Sequence, residues 1–293
     1  MTTLPQAASG LSSWNFRGAL PAALAALAAS ILFARPATLL ARDWWNDADA
    51  GHGLLLAPLA VWLAWQRGLA PDRRPHVAGG TVLLLGAVAL RSLGGLAAEL
   101  FTMRFSMVLA LAGLTVFVWG FGQLRRWWLP ATLLALSIPI PALVTNALAL
   151  PLQFQASRMG ATLLEWRDVP VRLAGNVIQL PGRQLFVTEA CSGLRSLTAL
   201  LSLGVLVGGL WLRSVPGRAL LIALAIPVAI AVNAVRVFMT GFLVYFVDPQ
   251  LGEGFMHLTE GWLLFLVAFL ILGAAAWVAA SIEGRWRARS AHA

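Results

Sequence analysis

The chain is predicted to be an all-α, polytopic integral membrane protein, and three observations carry that reading. Of its 293 residues, 59% are hydrophobic and 11% charged, where a soluble domain has about 25% charged. Mean hydropathy is +0.80. Apolar runs long enough to cross about 30 Å of hydrocarbon recur along the whole length.

In order, the runs fall at residues 19–40, 51–65, 79–98, 105–122, 127–149, 193–212, 218–246 and 260–281, which predicts about eight spans. The first begins behind Arg17 and lacks a small-residue cleavage site, so it is expected to stay as a span and not to be removed as a signal peptide. The second is short. The fifth is interrupted at Ile138-Pro139-Ile140-Pro141, and residues 150–165 are expected to add an interfacial helix. The longest polar segment, about 150–190, holds a strand-like stretch at Asn176–Leu180, closed by Pro181-Gly182 and followed by Leu185-Phe186-Val187. That pattern predicts a small hairpin resting on the membrane. With no repeat or second domain visible, residues 1–293 read as a single membrane domain with loose tails at about 1–16 and 284–293.

All 21 basic residues are arginine, and the net charge is +9. Arg17, Arg67, Arg73, Arg74, Arg125, Arg126, Arg213, Arg218, Arg285, Arg287 and Arg289 fall on one side of the proposed membrane with only Asp72 and Glu283. Eleven cations less two anions put the whole +9 there; on the other side ten arginines, counting Arg91, balance ten acids. By the positive-inside rule both termini are cytoplasmic, which requires an even number of spans. The arginines are spread one loop at a time, with no basic groove and interleaved aromatics, so no nucleic-acid partner is expected.

Cys191 is the only cysteine, in the run Val187-Thr188-Glu189-Ala190-Cys191-Ser192-Gly193-Leu194-Arg195-Ser196, where a polar loop turns into an apolar span. A thiol at a helix start feels the positive end of the dipole, which favours the nucleophilic thiolate. The plainer alternative is a small buried hydrophobe. Arg236 lies in the seventh run, eighteen residues or about 27 Å beyond Arg218, near the outer edge of the hydrocarbon. An arginine at such depth needs a partner or a polar cavity, or else snorkels to the interface. His257 is placed in the outer loop before the eighth span, so topology sets thiol, guanidinium and imidazole at one membrane face. Taken alone, that histidine reads as an ordinary wet loop residue.

These residues resemble the exosortase and archaeosortase group of membrane cysteine transpeptidases. The likeness rests on Glu189-Ala190-Cys191-Ser192-Gly193-Leu194-Arg195-Ser196, on Asn233-Ala234-Val235-Arg236, on His257 followed by Gly261, on Gly51-His52-Gly53-Leu54 and on the proline break, and spans about residues 40–280. Gly51 stands where serine is more usual before His-Gly. The resemblance implies a sorting enzyme of the bacterial inner membrane. It would cut secreted proteins at a C-terminal signal (a Pro-Glu-Pro-like motif, a transmembrane helix and a basic tail, the PEP-CTERM arrangement) on the outer face. It also implies catalytic roles for Cys191, Arg236 and His257, with His52, Glu189, Arg195 and Asn233 in support. Cys191 would form a thioester, His257 would shuttle the proton, and Arg236 would stabilise either the oxyanion or the thiolate. The acceptor would be a lipid, a polysaccharide or water.

A transporter would share the spans and the intramembrane arginine, but its site belongs near the midplane and would show carboxylates for ion coupling. A thiol oxidoreductase normally needs two cysteines. A polysaccharide or lipid-linked transferase would use outer-face acids such as Asp43, Asp47 and Asp49, which read instead as a solvated loop. No cofactor or metal is expected, because His52, His257 and one cysteine do not make a ligand spacing.

Overall fold

A computed structural model describes residues 16–187, 193–248 and 254–291; of the helical residues, the side chains of 16–26, 254–260 and several near the C-terminal end lie outside the description. The chain forms α1 (Phe16–Asn46), α2 (Gly53–Arg67), α3 (Val77–Leu96), α4 (Leu100–Trp119), α5 (Phe121–Arg126), α6 (Trp128–Leu136) and α7 (Ala142–Glu165). Three strands follow, β1 (Arg172–Ala174), β2 (Val177–Leu180) and β3 (Arg183–Phe186), and then α8 (Leu194–Trp211), α9 (Val215–Phe246) and α10 (Gly254–Ala291). Among the described residues, five helices are long and apolar enough to cross a membrane: α3, α4, α8, α9 and α10 over Gly261–Arg285. Large apolar side chains such as Leu55, Leu96, Leu143 and Trp262 face outward, as expected where the solvent is lipid.

Of the other three expected runs, the first forms the single 31-residue helix α1, and the second and fifth depart from single spans for identifiable reasons. The second run forms α2, only 15 residues long. The fifth breaks at the predicted prolines, α6 ending at Leu136 and α7 starting at Ala142. Pro139 and Pro141 have no N–H to give, so the α-helical ladder cannot pass them. Residues 150–165, expected as a separate interfacial helix, continue α7 through Pro151 instead. The C-terminal tail also differs from its expectation, since α10 stays helical to Ala291.

The polar segment folds as a three-stranded antiparallel sheet in the order β1-β2-β3, one strand more than the expected hairpin. Gly175 and Gly182 have φ of +65° and +74°, the left-handed conformation that the two turns require. One face of β2 is buried: Ile178 and Leu180 pack with Val187 against Ala156, Ala161 and Leu164 of α7 and Val237 of α9. A second core joins α8, α9 and α10 around Leu200, Ala225 and Ala268. A third ties α2, α6 and α8 through Leu56, Leu63 and Leu133. Glu283 of α10 fastens the α8–α9 turn, accepting from the Arg213 N–H at 3.0 Å and from the Ser214 hydroxyl.

Candidate active site

The site is assembled on one face of α9. Asn233 and Arg236 are three residues apart there and so point the same way. Asn233 is buried and Arg236 half-buried. Gly193, at the N-cap of α8, has φ +84°. A β-carbon on it would stand 2.8 Å from Asn233 Cγ, so this position needs glycine both for its backbone and for its closeness to α9. On the other flank, a β-carbon on Gly261 would lie 3.5 Å from Arg236 Nη2 and 3.6 Å from its Cζ. The guanidinium therefore lies against the backbone of α10.

His257 is four residues before Gly261, one turn nearer the start of α10. Expected in a loop, it belongs to the first turns of a helix. Val187, 1% exposed, packs in the same buried cluster as Val237, the residue after Arg236. Its N–H and C=O pair with Asn176 (2.9 and 3.1 Å). The chain is thus fixed at Val187 and again at Gly193, both beside the Arg236 turn. Glu189 and Cys191 sit between these anchors, outside the described residues, as does the side chain of His257.

Beside this junction a cleft of about 590 Å³ opens between the start of α8, the α1–α2 connection, the start of α4 and the proline break. Arg195 Nε donates to Asp49 at 2.6 Å, an exposed pair tying α8 to the α1–α2 connection; such pairs add little stability. Deeper in, Arg104 is 3% exposed and donates to Asp43 at 2.6 Å. Glu99 caps α4, accepting from the N–H groups of Phe101 (3.0 Å) and Thr102 (2.6 Å). Burial pushes the Glu99 carboxyl up, but the hydrogen bonds from Thr102 and Phe101, with the Arg104 charge, outweigh it and hold the carboxyl below the usual carboxylate range. Asp43 and Asp49, read from sequence as solvated, are therefore engaged in ion pairs. Arg104 was not singled out in the sequence; its one signal is a cation between Met103 and Phe105 at the edge of an apolar run.

His52 makes its contact at the end of α6. Its Nε2 lies 3.2 Å from the Leu136 carbonyl, and the Trp44 indole Nε1 donates to the Ser137 carbonyl at 2.7 Å. Pro141 cannot supply the i+4 N–H that Ser137 would use in a helix, so Trp44 provides it. A side chain on Gly53 would collide with that indole. The Gly-His-Gly element and the proline break, far apart in sequence, thus interlock, and His52, Pro139 and Pro141 line the cleft together. Among the described residues no three His, Cys, Asp or Glu side chains gather as a metal site.

Residues 44–274 match the family model described as transmembrane exosortase (Exosortase_EpsH). The chain belongs to the transmembrane exosortase family. No curated protein and no solved structure showed significant similarity to it. As an exosortase it is a multi-pass membrane enzyme of the sorting-transpeptidase kind, acting on secreted proteins that carry C-terminal signals. The matched stretch contains every candidate residue, from His52 to His257.

Proposed function

We propose that the chain is a cysteine transpeptidase of the bacterial inner membrane that cleaves a Pro-Glu-Pro-like C-terminal signal on the outer face. The observation that supports this most is the meeting of two flanks on one turn of α9: Gly193 against Asn233 on one side, and the Arg236 guanidinium against Gly261 on the other, with His257 one turn away on the same helix α10. Cys191 thiolate adds to the scissile carbonyl, and the tetrahedral intermediate collapses to a thioester as the C–N bond breaks. His257 takes the thiol proton and returns it to the leaving amine. Arg236, a fixed cation with a planar fork of donors, stabilises the charge that develops. A nucleophile of the envelope, a lipid or polysaccharide group, or water, then attacks the thioester, and the thiolate is regenerated. In this reading the chain crosses the membrane eight times, with both termini on the arginine-rich cytoplasmic side.

The cleft beside the junction suits the substrate segment next to the scissile bond, with Arg195 at its entrance. The test is cleavage of a tagged substrate bearing such a signal, compared at equal membrane levels. Cys191→Ala is expected to leave it uncut. Arg236→Lys keeps the cation but not the fork, and is expected to lose about a hundredfold or more. Arg73→Lys, at an exposed position with no part in the site, is expected to process normally. Normal cleavage by Cys191→Ala refutes the proposal; equal activity of the two lysine variants removes Arg236 from it.

A further inference from the structure

At the end of the helices opposite Arg236, two arginines from different helices face one indole and a third is hydrogen-bonded to the first of them. Arg67 closes α2, Arg126 closes α5, Arg218 lies in the first turn of α9, and Trp128 opens α6. The Arg67 and Arg218 Cζ atoms stand 5.8 and 4.7 Å from the Trp128 ring centroid. Arg67 Nη1 donates to the Arg126 carbonyl at 2.9 Å, and Arg126 Nε donates back to the Arg67 carbonyl at 2.7 Å. Arg218 Nε donates to Leu212 O at 2.9 Å. The charges of Arg126 and Arg218 both act on Arg67.

These bonds hold the ends of α2 and α5 together, but each uses only one of a guanidinium's five N–H donors. Among the described residues, no carboxylate forms an ion pair with Arg67, Arg126 or Arg218. Like charges gathered this closely repel one another unless an anion sits among them. Against the same indole runs a groove of about 580 Å³, lined by Phe121, Leu124, Arg125, Trp128, Ala131 and Thr132. Arg125 is its one charged lining residue, and Phe121, Leu124, Trp128 and Ala131 line it with apolar groups from α5 and α6. A small soluble anion would answer the charge but leave the apolar groove empty. A headgroup phosphate joined to an acyl chain answers both, and basic pockets between membrane helices are the known setting for anionic headgroups.

We propose that Arg67 and Arg218, which face Trp128, and Arg126, bonded to Arg67, bind the phosphate of one anionic phospholipid, whose acyl chain lies in the adjoining groove. The site is independent of the catalytic reading, since it lies at the far end of α9 and shares no residue with it.

The test is native mass spectrometry of the detergent-solubilised full chain mixed with equal phosphatidylglycerol and phosphatidylcholine. The wild type is expected to retain one phosphatidylglycerol in preference. Arg126→Gln and Arg218→Gln should each weaken that retention about fivefold, as the loss of one basic contact to an acidic headgroup implies. Ala131→Phe narrows the groove and leaves every charge in place, and it should weaken retention as well; Arg73→Gln should not. Equal retention of the two lipids by the wild type overturns the proposal. So does wild-type retention by Ala131→Phe, or displacement of the lipid by millimolar inorganic phosphate, either of which would reduce the site to a patch for any anion.

Discussion

Gly193→Ala places one methyl group at the hinge between the cysteine segment and α9. Two costs follow. At φ +84° an L-residue loses about 1–2 kcal/mol relative to glycine. The new carbon would also sit 2.8 Å from Asn233 Cγ and 3.0 Å from its Cβ, short of ordinary carbon contact by about 0.5–1 Å. Asn233 is 4% exposed and cannot swing into solvent, so the segment carrying Cys191 must move instead. A displacement near 1 Å between nucleophile and stabilising group typically lowers the rate about a hundredfold. The loss in folding stability, about 2 kcal/mol, should be smaller in its effect than the loss in turnover. Gly204→Ala, eleven residues along in α8, is the matched control: its β-carbon would meet its nearest neighbour at 3.5 Å, and in mid-helix alanine is favoured by up to about 1 kcal/mol. Both variants would be assayed for cleavage of the tagged substrate at equal membrane abundance, with a thermal melt in detergent alongside. If Gly193→Ala cleaves as fast as Gly204→Ala, the packing of Gly193 on Asn233 does not position the nucleophile.

Two further outcomes test the cleft. Asp43→Asn leaves the Arg104 cation buried and unneutralised, and should cost about 3 kcal/mol, the low end for a broken buried pair because Asp43 is itself a third exposed; a melting temperature unchanged from wild type would show that the pair adds nothing. If His52 positions the proline break by donating to Leu136 O, His52→Gln, which keeps a donor, should retain most of the processing that His52→Ala loses, whereas equal loss in both would point to proton transfer by the imidazole.

Legibility in the sequence followed what each feature depends on. The strongest spans were readable because a run of apolar residues such as Val215–Phe246 answers only to the lipid around it. The break before Ala142 was readable because two prolines lack the donor a helix needs. Arg236 stood out as a cation deep in an apolar run. Gly193, Asn233 and Gly261 were legible only as members of motifs; that Gly261 lies under the guanidinium and Gly193 against Asn233 emerges only once three helices meet. The aspartates illustrate the limit most sharply. Asp43 and Asp49 sit in a polar stretch that looks solvated, and only the fold brings Arg104 and Arg195 to them across 61 and 146 residues.

One helix carries the precision that the proposed chemistry needs. Asn233, Arg236 and Val237 lie within little more than one turn of α9, a 32-residue helix packed against α7, α8 and α10. Each anchor of the cysteine segment rests on that helix, Val187 through the sheet core and Gly193 through Asn233. A nucleophile on a loop is ordinarily less well placed than one on a helix. Here Val187 and Gly193, on either side of the cysteine in sequence, both pack on the element that bears the guanidinium, so movement of α9 carries both anchors with it. Substitutions that loosen α9 as a whole should therefore lower stability before turnover, and those at its contacts with Val187 or Gly193 should do the reverse.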